Sequence, residues 1–451
     1  MLSRQGIDYG SLGKDDRVHV SLYTNPAIFA EEMDTIFHRG WVYVGHRGEI
    51  PNRGDFRLKR VGLQPVIMVR DQDGHVQLLL NRCRHRGATV CQDAQGNARS
   101  FRCMYHGWTY RLNGELSGVP AIDAYGEGFK REDLSLLKVP RVSEYRGLIF
   151  ASLSAAGITL DEHLGRAKEE IDLFVGLSDA DDVEVTSGTH KYSYQGNWKL
   201  AAENSMDGYH PNVVHASFAQ ALMDKIQHVP TPEQGRIDRN FAAFTGNTRD
   251  LGNGHVMLDY RFRIYDSLNG DPTPPVGAIS AAGRACVDEV TRRFGPERAA
   301  NMLREGGTHT FVFPNLILIG VQMRVLQPIS VDRTEVCLYP TLLKWLTPDV
   351  NTIRLRSHEA FFGSASFGGP DDSEIFERVQ DGCAVEIEPW QLLSRGLHRE
   401  RHEDGMIVGE LSDEVTQRGI WRQWKKVMTQ DTAATRAARK RGGRAVAAER
   451  S

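Results

Sequence analysis

The chain has 451 residues, of which 40% are hydrophobic and 25% charged, and its net charge is −3. This composition is typical of a globular protein with a large core and excludes a chain that is disordered throughout. The near-neutral charge argues against nucleic acid as a partner, because nucleic-acid-binding proteins usually carry a basic face. A length well above ~250–300 residues predicts more than one domain.

The sequence shows no targeting or membrane segment. The first 17 residues lack the apolar stretch of a secretory signal, and the longest weakly polar run, Leu148 to Leu160, is shorter than the ~20 apolar residues that a membrane span needs. Six cysteines are too few for a disulfide scaffold in a chain of this length. We therefore expect a cytoplasmic protein without a membrane partner.

Apolar periodicity and turn residues predict an α+β chain. Pro26 to Phe37 has helical spacing, and the dipeptides Asp73-Gly74 and Asn113-Gly114 each separate two short strand-like runs, which indicates hairpins. Further along, the pattern predicts a helix over 160–182, a strand over 183–194, strands within 308–343, and helices over 352–362, 374–393 and 413–428. The predicted parts are a helical segment (1–40), an all-β domain (41–155), a second domain (156–428) and a basic tail that we expect to be disordered (429–451).

Two cysteine–histidine pairs lie in the all-β region, in the pattern C-x-H-x17-C-x2-H. The residues are Cys83, His85, Cys103 and His106, and a glycine closely follows each pair. Two loops that each supply one thiolate and one imidazole match a Rieske [2Fe–2S] centre, in which cysteines hold one iron and histidines the other. Structural zinc is the alternative, but zinc fingers usually place both cysteines in one half and both histidines in the other.

A second motif, D-x2-H-x4-H, comprises Asp207, His210 and His215. The two histidines would lie about 140° apart on a regular helix, so a broken or π-bulged turn at Pro211 is needed to direct both to one metal. Two histidines and a carboxylate form the facial triad of non-haem Fe(II) oxygenases. The motif is weak alone, but the upstream Rieske motif strengthens it.

The chain resembles the large (α) subunits of Rieske non-haem iron ring-hydroxylating dioxygenases, from about residue 35 to 428. The segments that carry the resemblance are CRHRG at 83–87, CMYHGW at 103–108, GNWKLAAEN at 196–204, DGYHPNVVH at 207–215 and FGSASFGGPDDSEIF at 362–376. The form E-N-x-x-D-G-Y-H is most similar to benzoate, toluate and anthranilate dioxygenases. The resemblance implies a Rieske domain inserted in a helix-grip catalytic domain, an antiparallel sheet wrapped around helices.

The resemblance also implies roles for individual residues. Asp372 would be the third iron ligand beside Asp371, although Asp372 could instead cap a helix that begins near Glu374. Asp207 would link His210 to a Rieske histidine of the neighbouring subunit, most simply His106. Asn204 lies near the iron in some relatives, but its spacing to Asp207 differs here, which leaves its role open.

Arg324 is a candidate substrate-binding residue on a predicted strand. If its side chain faces the pocket, away from Met323 and Val325, its guanidinium could bind a carboxylate in a bidentate manner. The alternative is an arginine that braces the sheet against an acidic neighbour.

The reaction that the resemblance implies is cis-dihydroxylation of an aromatic ring, with O2 and electrons from NADH. The chain has no G-x-G-x-x-G motif, so nicotinamide and flavin are expected on a separate reductase, with or without a ferredoxin. A small β subunit in an α3β3 assembly is expected as a partner. The alternative functions are those of a Rieske monooxygenase or demethylase, of a dioxygenase of neutral hydrocarbons, and of an electron carrier or zinc protein without catalytic iron.

Overall fold

The structure is a computed structural model that describes residues 7–175, 183–218, 220, 246–259, 308–344 and 347–430, with isolated residues between 288 and 299. Its helices are α1 (Tyr9–Leu12), α2 (Ser21–Thr24), α3 (Pro26–Glu32), α4 (Leu160–Leu164), α5 (Ala167–Phe174), α6 (Trp198–Asn204), α7 (Pro211–Val214), α8 (Pro348–Phe361), α9 (Gly368–Gly382) and α10 (415–430). None of the helices in the described part of the chain is long and apolar enough to cross a membrane.

Most strands belong to antiparallel sheets. In chain order they are β1 (Arg17–His19), β2 (Val42–His46), β3 (Asp55–Val61), β4 (Gln64–Arg70), β5 (Val76–Leu80), β6 (Gln95–Asn97), β7 (Ser100–Arg102), β8 (Thr109–Arg111), β9 (Leu116–Gly118), β10 (Arg141–Tyr145), β11 (Leu148–Ser152), β12 (Val183–Glu184), β13 (His190–Tyr194), β14 (Asn247–Gly252), β15 (His255–Asp259), β16 (Thr308–Val312), β17 (Leu316–Ile319), β18 (Gln322–Ser330), β19 (Arg333–Pro340), β20 (Leu342–Leu343), β21 (Trp390–Leu392), β22 (Arg401–Glu403) and β23 (Met406–Glu410).

Three small sheets make up the first, all-β region. Their strand orders are β5-β4-β3-β6, β7-β8-β9 and β10-β11-β2. The hairpin predicted at Asp73-Gly74 joins β4 to β5, where the Asp71 carboxylate accepts hydrogen bonds from the backbone N–H groups of Asp73 and His75. The hairpin predicted at Asn113-Gly114 joins β8 to β9. Both hairpin predictions are confirmed.

Among the described residues, the second region is built on a nine-stranded antiparallel sheet, in the order β13-β19-β18-β17-β16-β15-β14-β23-β22. Strand alternation divides its side chains between two cores. In β18, Leu326 packs in the same core as Trp198 of α6, whereas Met323 and Val325 pack in a separate core on the opposite face. Arg324 therefore lies on the face opposite to Met323 and Val325, as predicted, and this is the face that α6 covers. The α+β fold is confirmed.

A buried ion pair joins the N-terminal segment to this region. The Glu32 carboxylate, at the end of α3, accepts hydrogen bonds from Lys199 Nζ at 2.7 Å, Trp198 Nε1 at 3.1 Å and Trp424 Nε1 at 2.7 Å. Glu32 and Lys199 are fully buried, and breaking such a pair by removing one partner typically costs about 3–5 kcal/mol. This network fixes α6, the helix that leads into the second motif.

Some predicted elements differ from the structure. The helix predicted over 374–393 is wrong in its second half: α9 ends at Gly382, and Pro389, which has no N–H for a helical hydrogen bond, precedes β21, which pairs with β1. The strand predicted over 183–194 is interrupted at Gly188, and the helix over 160–182 breaks at Gly165, both with positive φ. Residues 176–182 and the tail from 431 lie outside the described residues.

Candidate metal centres

The two cysteine–histidine loops have the same backbone design. The carbonyls of Cys83 and Cys103 accept hydrogen bonds from the N–H groups of Gly87 and Gly107 at 3.0 and 2.9 Å. Both glycines have positive φ, near +80° and +74°, a conformation that side chains disfavour. Both cysteines are buried, so each loop directs its thiol inward. The predicted ligands thus occupy equivalent positions in two similar loops.

The loop histidines lie against each other and against an aromatic residue. The ring centroids of His85 and His106 are 4.5 Å apart, and His85 stacks on Trp108 at 4.9 Å. Burial, together with His106 and Arg86, lowers the pKa of His85, which favours the neutral imidazole that binds metals. His85 Nδ1 is buried without a hydrogen-bond partner among the described residues. Two thiols and two imidazoles with an orphaned nitrogen fit a Rieske cluster.

Tyr110 is a neighbour of the cluster site that the sequence reasoning missed. Its hydroxyl oxygen accepts a hydrogen bond from the Arg84 N–H at 3.1 Å and lies 3.2 Å from Cys83 Sγ. Because the oxygen already accepts from Arg84, its own proton is available to the sulfur. Burial, followed by the contact with Cys83, raises the pKa of this hydroxyl and keeps it protonated. The inward position of Tyr110 on β8 was the available signal.

The histidines of the second motif bracket a single helical turn. Helix α7 has four residues, begins at Pro211 directly after His210, and ends before His215, whose φ of −101° and ψ of 26° leave the helical range. A short, interrupted helix is found as predicted, but the predicted position of the break is wrong. His210, directly before Pro211, has helical values of φ (−63°) and ψ (−31°), and the backbone leaves the helical range at His215 instead. The short turn allows both imidazoles to approach one point.

Asp372 comes to this point from α9. Its Oδ1 lies 3.3 Å from His215 Nε2 and 3.6 Å from His210 Nε2. Ligand atoms bound about 2.1 Å from one ion lie roughly 3 Å or more apart, so the three groups fit a single metal. The alternative of a helix cap is wrong, because α9 begins at Gly368 and Asp372 lies inside the helix.

A second carboxylate increases the negative charge of this site. Asp371 Oδ2 lies 3.5 Å from His215 Nδ1, on the side of the imidazole away from Asp372. Burial lowers the pKa of His215, but Asp372 and Asp371 outweigh it and leave the pKa raised. Asp371 thus stands where it can orient the imidazole, as carboxylates do behind metal-bound histidines.

Asp207 and Asn204 lie at the rim of the same site. Asp207 Oδ1 accepts hydrogen bonds from the N–H groups of Tyr209 at 2.5 Å and His210 at 3.3 Å, and its Oδ2 lies 3.8 Å from His210 Nδ1. Burial opposes its ionisation, but these contacts leave its pKa lowered. Asn204 Nδ2 donates to Asp372 Oδ1 at 3.4 Å, so this residue contacts the third candidate ligand.

Arg324 is buried next to this site, with 3% of its surface exposed. Its Nη1 donates to Ser205 Oγ at 2.9 Å, and among the described residues its guanidinium forms no ion pair with a carboxylate. The positive charge of Arg324 contributes to the lowered pKa of His309, about 4, after the larger effect of burial. Ser205 and His309 were missed from the sequence, although strand alternation places His309 on the same face.

An all-β domain with paired cysteine–histidine loops and a separate His/His/carboxylate site define a redox metalloprotein with two kinds of iron centre. Residues 40–141 match the Rieske [2Fe–2S] domain, and residues 182–408 match the ring-hydroxylating alpha subunit catalytic domain.

Curated relatives and solved structures agree with these matches. The chain is 33% identical to the 2-halobenzoate 1,2-dioxygenase large subunit of Burkholderia cepacia, over 84% of this chain and 80% of the relative. It is also 33% identical to the anthranilate 1,2-dioxygenase large subunit of Acinetobacter baylyi, over 85% and 81%. A structure of naphthalene 1,2-dioxygenase with bound indole superposes with a TM-score of 0.76 at 26% identity, covering 94% and 95%.

The chain therefore belongs to the Rieske non-haem iron ring-hydroxylating dioxygenase alpha subunits, which are oxidoreductases. Its cofactors are a Rieske [2Fe–2S] cluster and a mononuclear iron held by a His/His/Asp site. The two curated relatives are named as large subunits, and the matched catalytic domain is described as that of an alpha subunit.

Proposed function

We propose that this protein is the terminal oxygenase subunit that cis-dihydroxylates an aromatic carboxylate. The observation that carries the proposal is Arg324, a buried guanidinium without an acidic partner among the described residues. A buried charge without a partner is costly, and a substrate carboxylate would supply that partner in bidentate geometry. The names of two relatives, 2-halobenzoate and anthranilate dioxygenase, support an acidic substrate.

The residue roles follow the geometry. Cys83, His85, Cys103 and His106 would hold the cluster, and His210, His215 and Asp372 would hold the iron. When bound, the iron activates O2 and the cluster delivers single electrons. Asn204 would restrain the Asp372 carboxylate, and Ser205 would orient the Arg324 guanidinium toward the substrate.

Asp207 would connect centres of two neighbouring subunits. The apolar side chains of Tyr209 and Val213, in the same segment, are 54% and 79% exposed. Met104 and Tyr105, which lie within the second cluster loop, are similarly exposed. Contact between these two surfaces in a ring of subunits would bring Asp207 toward the partner subunit's His106. We propose an assembly with a small β subunit, α3β3, that receives electrons from a flavin-containing reductase, with or without a ferredoxin.

Arg324→Met tests the substrate assignment. The variant should raise KM for benzoate-like acids by an amount equivalent to roughly 2–4 kcal/mol, because a buried charge pair is lost. Arg333→Met, on the exposed start of the adjacent strand β19, is the matched control and should leave KM unchanged. Steady-state oxygen uptake with a surrogate reductase measures KM for both variants.

The native enzyme supplies the decisive comparison. Equal turnover of neutral arenes and aromatic acids would overturn the carboxylate assignment. Product analysis separates the reaction types: a diol supports dihydroxylation, whereas a phenol or a demethylated product would identify a monooxygenase or demethylase.

A further inference from the structure

Two fully buried polar side chains near Arg324, Gln322 and His358, have no hydrogen-bond partner among the described residues. Both amide atoms of Gln322 and both ring nitrogens of His358 lack a hydrogen bond among the described residues, and Arg324 Nε lacks one as well. Native proteins leave few buried polar atoms unpaired. Several such atoms in one region indicate a polar ligand that completes them.

The topology places Gln322 and Arg324 on one face of the sheet and His358 on a helix that lies over that face. Gln322 and Arg324 are two residues apart on the inner face of β18, which separates their Cα atoms by about 6.5–7 Å. Arg354 of α8 donates to the carbonyl of Gly320, two residues before Gln322, and His358 follows one turn later on the same helix face.

A contact with His190 gives a second, independent indication of where His358 lies relative to Arg324. The ring of His358 lies 5.0 Å from that of His190. His190 is in register with Leu338, which is in turn in register with Arg324. His358 therefore lies over the row of the sheet that contains Arg324.

A substrate carboxylate alone cannot pair with all the hydrogen-bonding atoms of Arg324, Gln322 and His358. A carboxylate only accepts hydrogen bonds, and the guanidinium of Arg324 only donates them. Gln322 adds an acceptor as well as donors. Burial and the neighbouring His190 lower the pKa of His358 to about 4, so that its neutral ring also offers one donor and one acceptor. A ligand with its own N–H or O–H group would pair with these acceptors, whereas methyl or halogen substituents would not.

We propose that the substrate is an aromatic acid with a hydroxyl or amino group ortho or meta to the carboxylate, with Arg324 binding the carboxylate and Gln322 and His358 binding the substituent. This inference rests on the proposed function, since it assumes an acidic aromatic substrate. It names the substituent that distinguishes this substrate from simple benzoates.

Anaerobic titration calorimetry of the holoenzyme tests the inference without turnover. The probes are matched pairs of similar size: 2-hydroxy-, 2-amino- and 2-methylbenzoate, and the corresponding 3-substituted acids. We expect at least one hydroxy or amino acid to bind ten-fold or more tightly than its methyl counterpart. Gln322→Leu and His358→Phe should each reduce this ratio several-fold. Gln327→Leu, the same change on the opposite face of β18, should leave the ratio unchanged.

The outcomes separate the two proposals. If all aromatic acids bind but the methyl acids bind as tightly as their hydroxy and amino counterparts, the inference is overturned and the carboxylate assignment stands. A preference that persists in both variants also overturns it, because the substituent is then bound elsewhere. If toluene binds as tightly as the acids, the proposed function itself fails.

Discussion

The two candidate metal sites are held in different ways. Each cluster loop is stabilised by contacts within the loop: the carbonyls of Cys83 and Cys103 each accept a backbone hydrogen bond from a glycine four residues later. The iron site is assembled from distant segments, because Asn204 and Asp372, which contact each other, are 168 residues apart. The first site depends on local turns, whereas the second depends on the packing of α6, α7 and α9.

This difference indicates where each site is vulnerable. A substitution in a cluster loop affects one local turn and the electronic properties of the cluster ligands that this loop carries. A change in the iron site removes a charge that balances the surrounding imidazoles, since Asp371, Asp372 and the two histidines all lie within 4 Å of a partner. The following variants separate local from long-range effects.

The largest effect is expected from Asp372→Ala. Turnover should fall to background and iron content should decrease from about three to two atoms per chain, because the carboxylate of the facial triad is lost. The visible and EPR spectra of the cluster should not change, since the cluster ligands lie in separate loops. Asp381→Ala, an exposed position on the same helix, is the control. Full activity of Asp372→Ala would place the third ligand elsewhere.

His85→Cys should produce the next largest effect, at the cluster. Replacement of an imidazole by a thiolate adds negative charge at the iron and should lower the reduction potential by roughly several hundred millivolts. Protein-film voltammetry and EPR measure the change, and His75→Cys, at an exposed hairpin position, is the control. An unaltered spectrum would remove His85 from the ligand set.

Asp207→Ala tests the connection between the two sites. Both metals should be retained, but oxidation of the reduced cluster with substrate and O2 present should slow by about 10–100-fold, the usual effect of losing a carboxylate behind a metal-bound histidine. Stopped-flow absorbance of the cluster measures this rate. Asp207→Asn is the matched variant, because its amide oxygen can still accept from Tyr209 and His210. Loss of only the mononuclear iron would instead identify a ligand or folding residue.

The contrast between local and distant contacts also explains how much could be predicted from the sequence. Cys83, His85, Cys103 and His106 form a recognisable motif because spacing alone determines their loops. The short helix at Pro211 was predictable only in part: Pro211 occupies the first helical position, which suits proline, but it does not keep His210 out of helical geometry as predicted. Asp372 was predicted only through family resemblance, since no local pattern connects it to the histidines. The domain boundaries at 41, 155 and 428 remain predictions.

The predictions that failed depended on long-range contacts. The helix over 374–393 was extended too far because its apolar spacing was compatible with a helix, whereas the pairing of β21 with β1, more than 370 residues away, determines the observed strand. Ser205, Gln322 and His358 are ordinary polar residues in the sequence. They become notable only after the fold places them beside Arg324, because burial and the lack of partners are properties of the tertiary structure.

The smallest expected effect concerns Tyr110 and tests whether the cluster is tuned by a side chain outside its loops. Tyr110→Phe removes the hydroxyl that lies 3.2 Å from Cys83 Sγ. A hydrogen bond to a cluster sulfur stabilises the more negative, reduced state, so its loss should lower the reduction potential. A net hydrogen bond of about 1 kcal/mol corresponds to roughly 40 mV for a one-electron couple. Tyr125→Phe, near Trp108 in the same domain, should leave the potential unchanged. An unchanged potential in Tyr110→Phe would show that the hydroxyl proton does not reach the sulfur and that the loops alone set the electronic properties of the cluster.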